Sequence, residues 1–192
     1  MINMNDNQLN DANDKVKQTV AQIPHKLPNE MTVYRDVLKN AARQKLPDII
    51  FNSGRDNAAC LVSAILDVSQ KSFKALCLDE NIEIFNYEVV ESSIKGALEK
   101  KIQVSILTNS SDFSKNIPEY LSKYTKILPD ATYKNLKTNS SNRMLLGSFV
   151  VGDNDMFRLE YIGEEALGIG SFSDAEMAKA LDDFFNKIKE LC

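Results

Sequence analysis

Residues 87–107 read YEVVESSIKGALEKKIQVSIL, and they contain both kinds of secondary structure that decide the fold. Val90, Ile94 and Leu98 are spaced four residues apart, which is typical of the apolar face of an α-helix and predicts a helix at 87–100. The run from Ile102 to Leu107 is rich in β-branched and apolar residues, which predicts a short strand. A helix that leads directly into a strand favours an α/β fold.

The same alternation continues on both sides of this stretch. The other predicted strands are 49–51, 72–78, 147–151, 156–161 and the short extended segment 167–170, and the other predicted helices are 58–68, 117–124 and 172–191. The sequence GDND at 152–155 favours a hairpin turn between two of these strands. Ser173 and Glu176 form the pattern of a capping box at the last helix. Together these elements predict an α/β sandwich with a mixed sheet.

The chain before this alternating region has a different character. Residues 1–12 carry little that can be buried, so we expect a disordered tail there. Residues 13–47 are predicted to form an N-terminal helical extension, with helices at 14–23 and 29–43 that prolines separate. We therefore expect a single α/β domain at 48–192.

Composition limits the classes of function. The net charge is -4 and the isoelectric point is about 5.1, which argues against nonspecific phosphate binding over the whole surface. Cys60, Cys77 and Cys192 form no CxxC motif and indicate reduced thiols. The sequence shows neither a signal peptide nor an apolar run of about 18 residues, so we expect a soluble, cytoplasmic protein. Nothing in the pattern indicates a cofactor.

Several segments, taken in order, resemble one half of a phospholipase D-like protein. The polar turn, helix and strand of 52–79 resemble the beginning of that domain, and 87–107 resembles its recurring unit of helix, basic residue and strand. The strand at 148–153 and the pair Gly170-Ser171 before the final helix complete a resemblance that covers residues 48–190. It implies a phospholipase D-like sandwich that forms a homodimer or pairs with another protein.

The resemblance also implies that the family's chemistry is lost. Active members carry His-x-Lys, four residues and Asp; the histidine attacks phosphorus, and the lysine stabilises the phosphoryl oxygens. With Asp153 in the aspartate position, Leu146 stands in the histidine position and Ser148 in the lysine position. The only histidine of the chain, His25, precedes the predicted domain. We therefore expect a catalytically inactive domain.

Two groups of residues are candidate contacts for a ligand or phosphate. Asn52, Ser53 and Arg55 follow a predicted strand, where open α/β sheets place ligand groups, although capping of the next helix is the favoured role. Gly170 and Ser171 would offer amides to a phosphate at a helix entrance, with a tight turn as the favoured alternative.

Carboxylates near the predicted hairpin are a candidate metal site. Asp153, Asp155 and Glu160 would supply oxygen ligands to a divalent cation. A solvated turn followed by a polar strand residue is the favoured interpretation, so no metal is predicted.

A basic stretch in the middle of the chain is a candidate nucleic-acid contact. Its cationic residues are Lys123, Lys126, Lys134, Lys137 and Arg143, and tyrosines are interleaved with them. An ordinary solvated face is the favoured alternative. By contrast, residues 153–192 carry ten acidic and four basic residues, which would suit a basic partner or serve solubility.

Three functional hypotheses remain. The favoured one is an inactive phospholipase D-like binding or regulatory module; the resemblance alone suggests an accessory subunit of a bacterial defence or sensing system. The second is a small acidic immunity or inhibitor protein that binds a toxin or nuclease. The third is a metal-dependent phosphodiesterase or nuclease.

Overall fold

The computed structural model describes residues 25–109, 119–129, 132, 134, 147–161 and 167–192. The helices of this part are α1 (Asn29–Arg43), α2 (Arg55–Val68), α3 (Glu88–Glu99), α4 (Glu119–Ser122) and α5 (Ala175–Lys189), with a 3₁₀-helix at Asp79–Asn86. The strands are β1 (Ile50–Asn52), β2 (Ser72–Cys77), β3 (Gln103–Thr108), β4 (Thr125–Ile127), β5 (Phe149–Gly152), β6 (Met156–Glu160) and β7 (Gly168–Ser171).

The described strands form one mixed sheet in the order β1-β7-β6-β5-β2-β3-β4. β2, β3 and β4 are parallel to one another, which is the part built from the alternation of helices and strands. β5 pairs antiparallel with β2, and β6, β7 and β1 continue the sheet with antiparallel pairs. The prediction of an α/β fold with a mixed sheet is therefore confirmed.

Helices cover both faces of the sheet. On one face α2 and α3 pack against side chains such as Phe73 and Ile106, and on the other face α5 packs against Leu107 and Phe157. Each of these four side chains is buried. Complete burial of a large apolar side chain contributes about 1.5–3 kcal/mol, so these two layers of contacts hold the sandwich together.

α1 packs against α2 and belongs to the same core. Its residues Leu38 and Ala42 are buried in the cluster that α2 and α3 form. Arg35 on the same helix donates hydrogen bonds to Asp67 at 2.8 Å and to Ser63 at 3.0 Å, both on α2. This helix has the predicted bounds, whereas the predicted helix at 14–23 and the predicted tail at 1–12 lie outside the described residues.

The hairpin between β5 and β6 forms where it was predicted. Asp153 and Asn154 have φ values of 52° and 64°, the left-handed conformation that tight hairpin turns need and that Asp and Asn tolerate. The Asp153 carboxylate accepts hydrogen bonds from the amides of Gln70, Lys71 and Ser72 at 2.6, 2.8 and 3.0 Å. These bonds join the hairpin to the turn before β2.

Two details of the prediction are corrected. The predicted helix at 117–124 contains the short α4, and it is followed by β4, which was not predicted. The last helix starts later than predicted, because Asp174 is its N-cap and accepts a hydrogen bond from the Met177 amide at 3.0 Å. Among the described helices, none combines the length and the apolar character needed to cross a membrane.

Candidate functional site

A small cavity lies between α2, the 3₁₀-helix and the sheet, at the carboxyl end of β2. We call it the central cavity. Its volume is about 30 Å³, which is room for about two water molecules. Its charged and hydroxyl-bearing lining residues are Arg55, Glu83, Ser148, Arg158 and Glu160.

A buried ion pair forms part of the wall of the central cavity. Arg158 Nη1 donates a hydrogen bond to Glu160 Oε2 at 2.8 Å, and the two side chains are only 4% and 8% exposed. They stand two residues apart on β6, so both point to the sheet face that α2 covers. Because the site is nearly closed to water, the two charges stabilise each other, and neither would be tolerated alone.

A second ion pair lies nearer to the solvent. Arg55, the first residue of α2, pairs with Glu83 of the 3₁₀-helix, and both side chains are about two-fifths exposed. Ser148, just before β5, accepts a hydrogen bond through its Oγ from the Leu78 amide at 3.0 Å. The cavity is therefore lined by as many arginines as glutamates, and it has no excess of positive charge.

The groups around the central cavity are poor nucleophiles. Burial raises the pKa of Cys77, and the nearby Glu160 carboxylate raises it further, so the thiol stays protonated at neutral pH. No histidine is among the lining residues. His25 is exposed and lies against Tyr87 with the ring centroids 5.4 Å apart.

The predicted ligand residues before α2 have mainly structural contacts. In its favoured orientation, the Asn52 side-chain amide donates to the Gly168 carbonyl and accepts from the Ala58 amide, both at 3.2 Å. It therefore ties β1 to β7 and to α2. The Ser53 carbonyl accepts a hydrogen bond from the Asn57 side chain. Of the three predicted residues in this group, only Arg55 lines the central cavity.

Gly170 and Ser171 lie within β7. That strand pairs with β1 on one side and with β6 on the other, so its backbone groups serve the sheet. α5 begins only at Ala175 and has Asp174 as its cap. Gly170 and Ser171 are therefore not at the entrance of the helix, and their contact with a phosphate stays a prediction.

The three candidate metal-binding carboxylates are not brought together. Asp153 accepts the three amides before β2, and Asp155 pairs with Lys45. Glu160 lies at the opposite end of β6, in the central cavity. Within the described residues, no three potential ligands are grouped so that they could hold a metal ion.

Several acidic residues of the C-terminal stretch 153–192 form ion pairs within the molecule. Asp182 pairs with Lys74 at 2.5 Å, and Asp183 pairs with Lys179 at 2.8 Å. Glu176 and Glu190 of the same stretch are exposed, and the acidic-inhibitor hypothesis stays a prediction.

The candidate nucleic-acid residues are only partly described. Lys123 and Lys126 are exposed and line an open groove at the β4 edge of the sheet. Lys134 is exposed, but it is not among the residues that line this groove. Lys137 and Arg143 lie outside the described residues, as does Leu146.

Sequence patterning did not single out Arg158. Apolar and charged residues alternate over 157–160, which is typical of a strand with one face in water. The strand is instead buried on both faces, because helices cover the sheet on either side. The feature of the sequence that could have indicated this ion pair is the opposite charge of Arg158 and Glu160, which lie on the same face of one strand.

Comparison with known proteins supports the fold. No family model and no curated protein matches the chain. Among solved structures, it is similar to Nuc from Salmonella typhimurium, a phospholipase D family member, with 13% sequence identity, a TM-score of 0.52 and coverage of 75% of this chain and 95% of that chain. It is also similar to TrmBL2, an archaeal chromatin protein, with 12% identity, a TM-score of 0.48 and coverage of 96% and 67%.

The similarity to Nuc shows that the chain has a phospholipase D-like fold. This was the fold that the sequence resemblance predicted. At 13% identity the comparison speaks for the fold alone, so the function has to be argued from the residues of this chain.

Proposed function

We propose that this chain is a catalytically inactive phospholipase D-like domain that acts as a binding or regulatory module. The observation that carries the proposal is the central cavity, where the buried pair of Arg158 and Glu160 takes the space beside Ser148. The sequence resemblance puts Ser148 in the position of the family's lysine, and the Ser148 hydroxyl accepts a hydrogen bond from a backbone amide.

The physical argument has two parts. Stabilising a phosphoryl group in the transition state needs cations or donors that are directed at its oxygens. Here each arginine of the cavity is already paired with a glutamate. The cavity volume of about 30 Å³ also leaves no space for a phosphodiester unless these pairs separate. Both features support a structural role for this site.

An activity assay tests the proposal. The protein would be incubated with bis(p-nitrophenyl) phosphate and with labelled DNA and RNA, in Mg²⁺, Mn²⁺ or EDTA. We expect no hydrolysis above the rate in buffer. Turnover that disappears in Ser148→Ala, while this variant keeps the thermal unfolding transition of the wild type, would assign chemistry to the central cavity and overturn the proposal.

For the partner we propose a second copy of this chain. β1 is an edge strand that pairs only with β7 among the described strands. Phe51 on this strand is 76% exposed, and the neighbouring Ile49 is 46% exposed. An exposed apolar edge strand is suited to pairing with another chain. A role in a bacterial defence or sensing system rests on the sequence resemblance alone.

A further inference from the structure

Two open grooves outside the central cavity have volumes in the range of ligand sites, about 300–1,000 Å³. The first, of about 580 Å³, is lined by the three carboxylates of Asp67, Asp153 and Asp155 beside its four cations, so its charge is nearly balanced. The second, of about 620 Å³, has no carboxylate among its lining residues. We call it the lysine groove, because five lysines line it: Lys74, Lys101, Lys123, Lys126 and Lys189.

The lysine groove lies at the opposite end of the sheet from the central cavity. It crosses the first residues of β3 and the region before and within β4, beside the last turn of α5. Its five lysines come from β2, the turn after α3, the segment before β4, β4 itself and α5. The fold therefore gathers cations that are far apart in the sequence.

Most of this charge is not neutralised. Lys74 pairs with Asp182, but within the described part of the chain no carboxylate forms an ion pair with Lys101, Lys123, Lys126 or Lys189. The whole chain has a net charge of -4, so this groove is a local exception to an acidic protein. A cleft lined by one sign of charge concentrates ligands of the opposite sign.

Lys101 occupies a backbone position that usually holds glycine or asparagine. It follows α3 with φ of 62°, and its amide donates to the Leu98 carbonyl at 2.9 Å, as at many helix ends. Lys45 has the same conformation after α1, but its side chain pairs with Asp155. The Lys101 side chain lines the lysine groove without such a partner, so the position keeps a cation where a glycine would fit with less strain.

An aromatic ring lies beside these cations. Tyr124 lines the groove and packs against the core, and Lys123 Nζ lies over its ring at 4.8 Å from the centre, so a base would stack there in place of this ammonium. Grooves that bind single strands combine cations along the backbone path with aromatic rings on which bases stack. An acidic peptide would use the cations but has no need of the ring.

We infer that the lysine groove binds single-stranded nucleic acid through its phosphate backbone, with a base stacked on Tyr124. The inference rests on the proposed binding role and names the class of partner. Four uncompensated lysines would neutralise about four phosphates, which corresponds to a slope of log affinity against log salt near -3.

The experiment measures fluorescence anisotropy of labelled oligo(dT) and oligo(U) of about 12 nucleotides, a length within the usual site size. The full chain is titrated at salt concentrations from about 50 to about 200 mM. Over this range we expect the affinity of the wild-type protein to fall roughly fiftyfold, and that of Lys101→Gln/Lys126→Gln roughly sevenfold. At the lowest salt, the variant binds roughly tenfold or more weakly than the wild type.

The matched control removes two exposed lysines outside the groove. Lys26→Gln/Lys179→Gln has the same change in net charge, and we expect it to bind within about twofold of the wild type, since only contacts with phosphates set the salt slope. If the groove variant fails to show the thermal unfolding transition of the wild type, Lys126→Gln alone replaces it, with a slope smaller by about 0.7 than that of the wild type.

Three outcomes would overturn the inference. In the first, the oligonucleotides do not bind to the wild-type protein. In the second, the groove variant and the control variant bind them with equal affinity. In the third, oligo-glutamate of the same length binds as tightly as the oligonucleotides and loses the same affinity in the groove variant, which would make the groove a surface for acidic proteins. Whether the DNA or the RNA arm binds more tightly identifies the source of the strand. Cleavage of the bound oligonucleotide would contradict the proposed inactivity and leave the groove assignment intact.

Discussion

Arg158 and Glu160 combine high burial with opposite charge in the wall of the central cavity. A buried ion pair adds little net stability, because removing both charges from water costs about as much as their attraction returns. Its larger effect is that a substitution of either residue alone would leave the other charge buried without a partner. The pair therefore constrains the central cavity more than it stabilises the fold.

The first prediction concerns this pair. We expect Glu160→Ala to lower the free energy of unfolding by about 3–5 kcal/mol, because it leaves the Arg158 guanidinium buried without its carboxylate. The double variant Arg158→Met/Glu160→Leu is expected to recover most of that loss, since no charge is then buried. Urea unfolding followed by circular dichroism measures both changes.

The control for this prediction is the exposed pair on α5. Lys179→Ala removes an ion pair whose side chains are 71% and 55% exposed, and we expect no measurable loss of stability. If Glu160→Ala were as harmless as this control, the account of the central cavity as a closed ion-pair site would be wrong.

The second prediction concerns Asp153. Asp153→Ala is expected to lower the free energy of unfolding by about 2 kcal/mol or more, because three amides lose their acceptor. Asp153→Asn keeps one oxygen and a residue that tolerates the left-handed backbone, so we expect a smaller loss. Urea unfolding distinguishes the two variants.

A structural role for Asp153 also predicts that metal ions do not change the stability of the protein. Millimolar Mg²⁺ or Mn²⁺ is expected to leave the unfolding midpoint of the wild type unchanged. A midpoint that rose with metal in the wild type but not in Asp153→Asn would favour a metal site at the hairpin instead.

At the scale of elements, the sequence predicts the helices and strands whose apolar residues recur at the regular spacing of a helix or a strand. α1 has its predicted bounds, and α3 begins one residue after and ends one residue before the predicted range. The hairpin of β5 and β6 was predicted because GDND turns are locally encoded. β4 was missed because it has only three residues, and its pairing with β3 depends on contacts distant in the chain.

The burial of β6 also depends on contacts with residues that are distant in the sequence. Its alternating apolar and charged residues predict a strand, but they do not tell whether the charged side faces water. That depends on α2, which lies about a hundred residues earlier and covers this face. Arg158 could thus be placed on a strand from the sequence, but its burial and its part in the site could not be predicted.

The third prediction concerns β1. We expect the chain to form dimers through this edge strand, and we expect Phe51→Lys to yield monomers, because a charge on an exposed edge opposes pairing. Sedimentation equilibrium at tens of micromolar measures the mass. Val33→Lys is a matched control, since Val33 is a 68% exposed apolar residue on α1. Equal dimerisation of both variants would exclude the β1 edge as the interface.

At the scale of the whole molecule, the sheet separates two sites of opposite character. The central cavity is small and balanced in charge, and the lysine groove is large, open and cationic. The single histidine of the chain is the basis on which the sequence predicts an inactive domain. The groove could be predicted only in part, since Lys123 and Lys126 are neighbours in the chain but Lys101 and Lys189 join them only in the folded protein.

The central claim is that the phospholipase D-like fold carries no phosphodiesterase chemistry in this chain. Single-turnover conditions test it most directly, with the protein in excess over a trace of end-labelled oligonucleotide and the products separated on a denaturing gel. The account predicts that the label stays at full length in Mg²⁺, Mn²⁺ and EDTA alike. Cleavage by the wild type that is lost in Ser148→Ala and retained in the control variant Lys26→Gln/Lys179→Gln would contradict it.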